Sequence, residues 1–207
     1  MSTIKIYGTP GSRAMRTLWM AEELRREVGL SYELVPTHFM KDAKQPAFLA
    51  INPNGRVPAM DDDGFVLFES LAINLYLAKA NPVSVLAPRD LREDALATQW
   101  SMWALTELED NIIALVARHP NIAMLPPDEK IEAEAQAKLA RPLKVLDQHL
   151  SSRDWLVAER FTVADLNVAG VIALSTFIQY DLSPYPAVKK WFEAATARPA
   201  FAAVRAM

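Results

Sequence analysis

An α/β unit with a small mixed sheet of four strands, followed by an all-helical unit, is the fold class that this sequence predicts. Strand and helix signals alternate over roughly the first 80 residues. A stretch with prolines and no periodicity, NPVSVLAPRD, follows at 81–90, and beyond it the strand signals vanish. The expected organisation is therefore a mixed-sheet domain over 1–80, a linker over 81–90 and a helical domain over 91–207.

Thr3 to Tyr7 (TIKIY) reads as a short strand that ends in the turn Gly8-Thr9-Pro10-Gly11. Ser12 is the expected N-cap of a helix running to Val28, with Ala14, Leu18, Ala21 and Val28 near one face. Ser31 to Pro36 (SYELVP) is the second strand. A polar stretch and a short helix ending near Asn52 come next. Pro58-Ala59-Met60 opens the third strand, Asp61-Asp62-Asp63-Gly64 turns the chain, and Phe65 to Phe68 is the fourth strand. Glu69-Ser70 then starts the helix LAINLYLAKA, which gives the order β-α-β-α-β-β-α. In the second half, helices are expected near 91–118, 128–151, 163–179 and 185–197. Pro126-Pro127-Asp128 and Thr162-Val163-Ala164-Asp165 supply capping chemistry for two of them.

The composition excludes several functions. With 51% hydrophobic and 23% charged residues and a formal net charge of −3, there is no basic excess to hold nucleic acid. The opening MSTIKIYG has no charged segment leading into an apolar run, so no secretory signal is expected. The longest strongly apolar stretch, 166–178, is about 13 residues, short of the roughly 20 needed to span a bilayer. A soluble, cytoplasmic protein is expected. No cysteine is present, which removes disulfides, thiolate metal sites, redox CxxC pairs and cysteine nucleophiles. His38, His119 and His149 lie far apart in the chain, and no metal site is expected.

Three segments carry a resemblance to a known family. The first is Gln45 to Met60 (QPAFLAINPNGRVPAM), the second Leu67 to Leu77 (LFESLAINLYL), and the third Phe161 to Asp165 (FTVAD). Together with the β-α-β-α-β-β-α order and the helical second half, they resemble the soluble glutathione transferases of the serine type, bacterial or plant-like. The resemblance implies a thioredoxin-like glutathione-binding domain, then a helical domain that shapes the site for the second substrate. Glutathione would be a co-substrate, and no cofactor is implied. The implied reaction is attack of the glutathione thiolate on small hydrophobic electrophiles, by conjugation or in peroxide reduction, as in detoxification. The implied assembly is a homodimer.

The site residues follow from matching positions and from chemistry. In the family the proline matching Pro58 is cis, which turns the backbone N–H and C=O of the preceding residue, here Val57, towards the cysteinyl unit of glutathione. By itself such a proline reads as the start of an edge strand. Glu69 and Ser70 sit where a strand feeds a helix, whose N-terminal N–H groups suit a carboxylate. Ser70 would hold the γ-glutamyl carboxylate and Glu69 the γ-glutamyl ammonium; the bland alternative is a plain helix cap. Lys44 looks like a lysine that reaches the glycyl carboxylate in plant-type relatives, although Ala43 stands where a histidine often precedes it. Arg56 occupies the place of a glutamine and can donate to the same peptide. Both cations read equally well as ordinary solvated side chains.

The thiol of glutathione is like that of free cysteine, with a pKa of about 8.5, and a shift of two units requires about 2.7 kcal/mol. One hydroxyl donor beside a helix N-terminus can supply it. Ser12, at the first helix, is one candidate, and Thr9, four residues before Arg13, is the other. Tyr7 precedes the turn and reads as a sheet-packing residue. For the second substrate, Trp103, Glu107, Asn111 and Arg118 fall on one stripe of the fourth helix, where aromatic residues more often belong to the core. His119 reads as a helix C-cap. Two rivals from other classes are a non-catalytic binding or scaffold protein of this fold and a glutathione-holding ligand carrier.

Overall fold

The computed structural model describes residues 3–207. The chain forms two compact units, one comprising the chain up to Arg89 together with Ala197–Met207, the other Asp90–Thr196. The elements of the first unit are β1 (Ile4–Gly8), α1 (Ala14–Val28), β2 (Tyr32–Pro36), a 3-10 turn (Asp42–Lys44), α2 (Pro46–Leu49), β3 (Ala59–Asp62), β4 (Phe65–Phe68) and α3 (Ser70–Ala80).

The sheet runs β2-β1-β3-β4. β1 is parallel to β2, whereas β3 is antiparallel to both β1 and β4. Alternation along β1 divides its side chains between the two faces. Ile4 and Ile6 are buried on one face, and Met60 is the register partner of Ile6. Tyr7 and its partner Ala59 lie on the other, where they join Ala43, Phe48 and Val57. α1 packs on α3 and against β1 and β2. It is buried throughout its first three turns, from Ala14 to Leu24.

The helical domain was expected to run to residue 207, but the stretch from Ala197 belongs with the first unit. The cause is a short helix, Pro199–Arg205, beyond the last helix that the periodicity predicts. The Phe201 ring stands edge-on to Trp19 at 4.7 Å. The Arg198 guanidinium donates to both oxygens of Glu23, at 2.7 and 2.8 Å. Glu23 also accepts from the Trp19 indole at 3.0 Å. The bidentate geometry, with Glu23 buried and Arg198 half-buried, makes this pair an anchor for the C-terminal stretch.

The second unit comprises α4 (Leu91–Trp103), a π-helical turn (Ala104–Glu109), α5 (Asp110–Arg118), α6 (Glu129–Leu150), α7 (Val163–Ile172) with a 3-10 continuation (Ala173–Ile178), and α8 (Pro186–Thr196). The Pro199–Arg205 helix is α9. Asp128 caps α6 through the N–H groups of Lys130 and Ile131. Thr162 and Asp165 form the expected capping box on α7. Asp165 is fully buried and also accepts from Leu156 N–H at 2.8 Å and Trp191 Nε1 at 2.9 Å. Burial pushes its carboxyl above the usual carboxylate range, while those donors pull the other way.

Candidate functional site

Gly8 ends β1 at a point where a Cβ would stand 2.3 Å from the Cβ of Ala14. Only glycine lets the strand end run this close to the start of α1. Between them Pro10 and Gly11 turn the chain, and the Ser12 N–H closes the turn on the Thr9 carbonyl at 3.1 Å. The Ser12 hydroxyl donates to the same carbonyl at 2.8 Å and accepts from the Ala14 N–H at 3.2 Å.

Ser12 is not the N-cap residue by backbone geometry. That place falls to Arg13, which has helical dihedrals (φ −58°, ψ −16°) and makes no side-chain cap bond. The helix is entered through tight i→i−3 turns, Met15 N–H to Ser12 C=O and Arg16 N–H to Arg13 C=O, so the boundary slides by one residue. Ser12 and Thr9 are brought together, both half-buried, on one turn at the N-terminus of α1. Tyr7 packs edge-on to Phe48, with ring centres 6.0 Å apart, in the face that includes Val57 and Ala59.

The Val57–Pro58 bond is cis. Ahead of it the chain is held by Asn52, which is buried and was not singled out from the sequence. Its side-chain amide donates to Arg56 C=O at 2.7 Å, and its Oδ1 accepts from Asn54 N–H at 3.1 Å. The legible signal was the turn-forming NPNG itself. Gly55 has φ +59°, and a Cβ there would lie 2.9 Å from the Ala43 carbonyl. The Lys44 ammonium donates to Gly55 C=O at 2.7 Å, which ties the 3-10 turn to this loop. Lys44, Arg56 and the Val57–Pro58 bond thus share one neighbourhood, with both cations exposed.

Glu69 and Ser70 join β4 to α3. Glu69 has φ +72° and ψ +109°, a left-handed backbone for a non-glycine residue, and its side chain is exposed. Such a conformation costs about 1–3 kcal/mol and persists where its surroundings impose it. Ser70, the first residue of α3, is only 5% exposed. Arg16, fully buried on α1, directs Nη1 to Ser70 Oγ at 3.4 Å. This contact was missed because the apolar pattern of α1 describes one face, whereas the helix is enclosed on every side over its first three turns.

In the second unit Trp103, Glu107 and Asn111 are each half-buried. The π-helical turn adds a residue to the turn in which Glu107 lies, so their +4 spacing does not mark one straight α-helical stripe. Trp103 packs edge-on to Trp100 at 5.0 Å, while Asn111 donates to the Glu107 carbonyl at 3.4 Å. Glu107 also meets Arg141 at 4.0 Å. A cleft of about 400 Å³ in this unit is lined by Trp155, Lys190 and Trp191 among others, and by none of the predicted residues. His119 is the C-cap of α5, as expected. Among the described residues, no group of three or more His, Asp or Glu side chains is arranged to hold a metal ion.

Residues 2–79 match the family described as Glutathione S-transferase, N-terminal domain, and residues 106–199 match Glutathione S-transferase, C-terminal domain. The chain is 35% identical to a probable glutathione S-transferase of Oryza sativa subsp. japonica, over 96% of this chain and 94% of the relative. It is 34% identical to glutathione S-transferase 3 of Zea mays, over 97% of this chain and 92% of the relative. Among solved structures, glutathione transferase F7 of Populus trichocarpa superposes with a TM-score of 0.82 at 29% identity, covering 99% of this chain and 98% of that one.

Proposed function

This chain belongs to the glutathione S-transferase family, and on that premise we propose that it activates the thiol of glutathione for attack on small hydrophobic electrophiles. The observation that carries this reading is that one unit holds Ser12 and Thr9 at the start of α1 and Glu69 and Ser70 at the start of α3, with Arg16 of α1 3.4 Å from Ser70 Oγ and the cis Val57–Pro58 bond beside the β1 end at Gly8. Helix N-termini present unpaired N–H groups and partial positive charge, which suits both a carboxylate and a thiolate.

In this reading Ser70 and the N-terminus of α3 hold the γ-glutamyl carboxylate, and Glu69 accepts from the γ-glutamyl ammonium. The Val57 backbone pairs with the cysteinyl unit. Lys44 exchanges the Gly55 carbonyl for the glycyl carboxylate, with Arg56 beside it. The thiol proton leaves to solvent, and the hydroxyl of Ser12, with Thr9 as its rival, donates to the sulfur anion. That sulfur then forms a bond to electrophilic carbon while a halide departs, or adds to one carbon of an activated double bond whose π electrons move to the other carbon, which takes up a proton from solvent. Trp103, Glu107 and Asn111 are the proposed contacts for the electrophile.

We also place the protein in the cytoplasm, in a detoxifying role, as a homodimer. No helix of the described residues is long and apolar enough to cross a membrane. Support for the dimer comes from the apolar side chains left in water: Phe65, Val66 and Phe68 on the edge strand β4, and Leu91, Leu96 and Met102 on α4. Edge strands of this kind are ordinarily covered.

Glutathione affinity followed by an assay with a chlorinated nitroaromatic tests the proposal. An enzyme binds glutathione and turns over. A scaffold protein does neither, and a ligand carrier binds without turnover; either result contradicts the proposal.

A further inference from the structure

We propose that Arg16 is a positioning residue for the γ-glutamyl carboxylate of glutathione, acting through the hydroxyl of Ser70; the inference rests on the reading that Ser70 holds that carboxylate. Arg16 has no exposed surface, and its Nη1 lies 3.4 Å from the oxygen of a serine that is itself 5% exposed. A guanidinium has donors only. The Ser70 oxygen is therefore the acceptor in this contact, and its own proton is left to point elsewhere. A hydroxyl that accepts from a buried cation is polarised and donates more strongly. Without that cation, Ser70 is free to turn its proton inward and present lone pairs to an arriving anion.

The cation is tied to the helix it serves. Asn74, one turn into α3 and fully buried, donates its side-chain amide to the Arg16 carbonyl at 3.3 Å. The backbone of α1 at Arg16 is thus fixed to the helix whose N-terminus would receive the carboxylate. The buried charge also adds to the positive end of α3, where little water screens it. Lysine keeps the charge but not the planar fork, so it replaces arginine only in part.

A merely structural Arg16 would stabilise the α1–α3 layer without distinguishing one ligand from another. Glutathione and an analogue whose γ-glutamyl unit is replaced by 4-aminobutyryl differ only in that carboxylate, so the pair separates the two roles. Affinity for both is measured in the wild type, Arg16→Lys, Arg16→Met, Ser70→Ala and the Arg16→Met/Ser70→Ala double variant, with Tm recorded for each. Arg16→Met is expected to weaken glutathione about tenfold, as loss of a charge-assisted contact does. kcat at saturating glutathione and affinity for the analogue should stay within about twofold. Arg16→Lys should recover part of the loss, and the double variant should bind glutathione no more weakly than Ser70→Ala. Equal weakening of both ligands, no weakening, or simple additivity with Ser70→Ala overturns the proposal. If Arg16→Met does not fold, Arg16→Lys decides, since loss confined to glutathione supports the role and equal loss refutes it. Ser70→Ala binding glutathione like the wild type overturns the underlying reading, and this proposal falls with it.

Discussion

The Ser12 hydroxyl donates to the main-chain oxygen of Thr9, 2.8 Å away. The two candidates for thiol activation are therefore coupled, because one spends its proton on the backbone of the other. A sulfur anion arriving at the α1 N-terminus must draw that proton away from a neutral carbonyl. Charge-assisted bonds are roughly twice as strong as neutral ones, so the exchange is favourable.

Ser12→Ala should then raise the pKa of bound glutathione towards its free value and lower turnover at neutral pH. A rise from about 6.5 to about 8.5 lowers the thiolate fraction at pH 7 from roughly three-quarters to about 3%, some 25-fold. Affinity for glutathione should change little, and activity should recover in part at high pH. A pH–rate profile of Ser12→Ala and Thr9→Ala checks this. If Thr9 is the donor, Thr9→Ala shows the shift, while Ser12→Ala loses only its hydroxyl bonds to the Ala14 N–H and the Thr9 carbonyl, about 1 kcal/mol of stability.

Ser70→Ala should weaken glutathione binding by about 1.5–3 kcal/mol while kcat at saturation stays nearly constant. The carboxylate contact is the same in the ground and transition states, so it contributes to binding and not to the chemical step. Initial-rate kinetics over a range of glutathione concentrations separates the two quantities.

Glu22 links stability to pH within the first unit. It is almost fully buried and accepts from Arg25 at 2.9 and 2.8 Å and from the Tyr32 hydroxyl at 2.7 Å. The Arg25 hydrogen bonds hold its carboxyl below the ordinary value of 4.5, against the opposing effect of burial. A depressed acid contributes stability that is complete above the unfolded pKa and lost as pH falls through the folded one. Glu22→Gln should therefore cost about 1–3 kcal/mol at neutral pH, a difference that shrinks in acid. Denaturant titrations of both proteins at neutral and acidic pH measure that difference.

Light scattering at micromolar concentration should report twice the chain mass of 23.1 kDa. Replacing Phe65 and Phe68 by charged residues should shift the protein towards a single chain, because the proposed dimer covers these exposed side chains.

Much of this was legible in the sequence because local chemistry decided it. The TIKIY strand, the DDDG hairpin and the FTVAD capping box are set by residues within a few positions of one another. The place of Glu69 and Ser70 between β4 and α3 was legible because a strand-to-helix junction can be read locally, whereas the roles proposed for them come from the resemblance. Arg16 was not legible, since its partners Ser70 and Asn74 are brought in by tertiary packing; Asn52 was passed over although its bonds to Arg56 and Asn54 are local to the NPNG turn. The π-helical turn at Ala104–Glu109 was also invisible, because its residues have ordinary helical periodicity. Residues 197–207 were misplaced for a related reason: Arg198 finds Glu23 from 175 residues away, and no periodicity reports such a pair.

The proposed activity requires that this protein bind glutathione and lower the pKa of its thiol. Titration of the thiolate ultraviolet absorbance of glutathione bound to the wild-type protein tests it most directly. The expected bound pKa lies about two units below the free value of about 8.5. A bound thiol that titrates like free glutathione, or no binding at all, would contradict it.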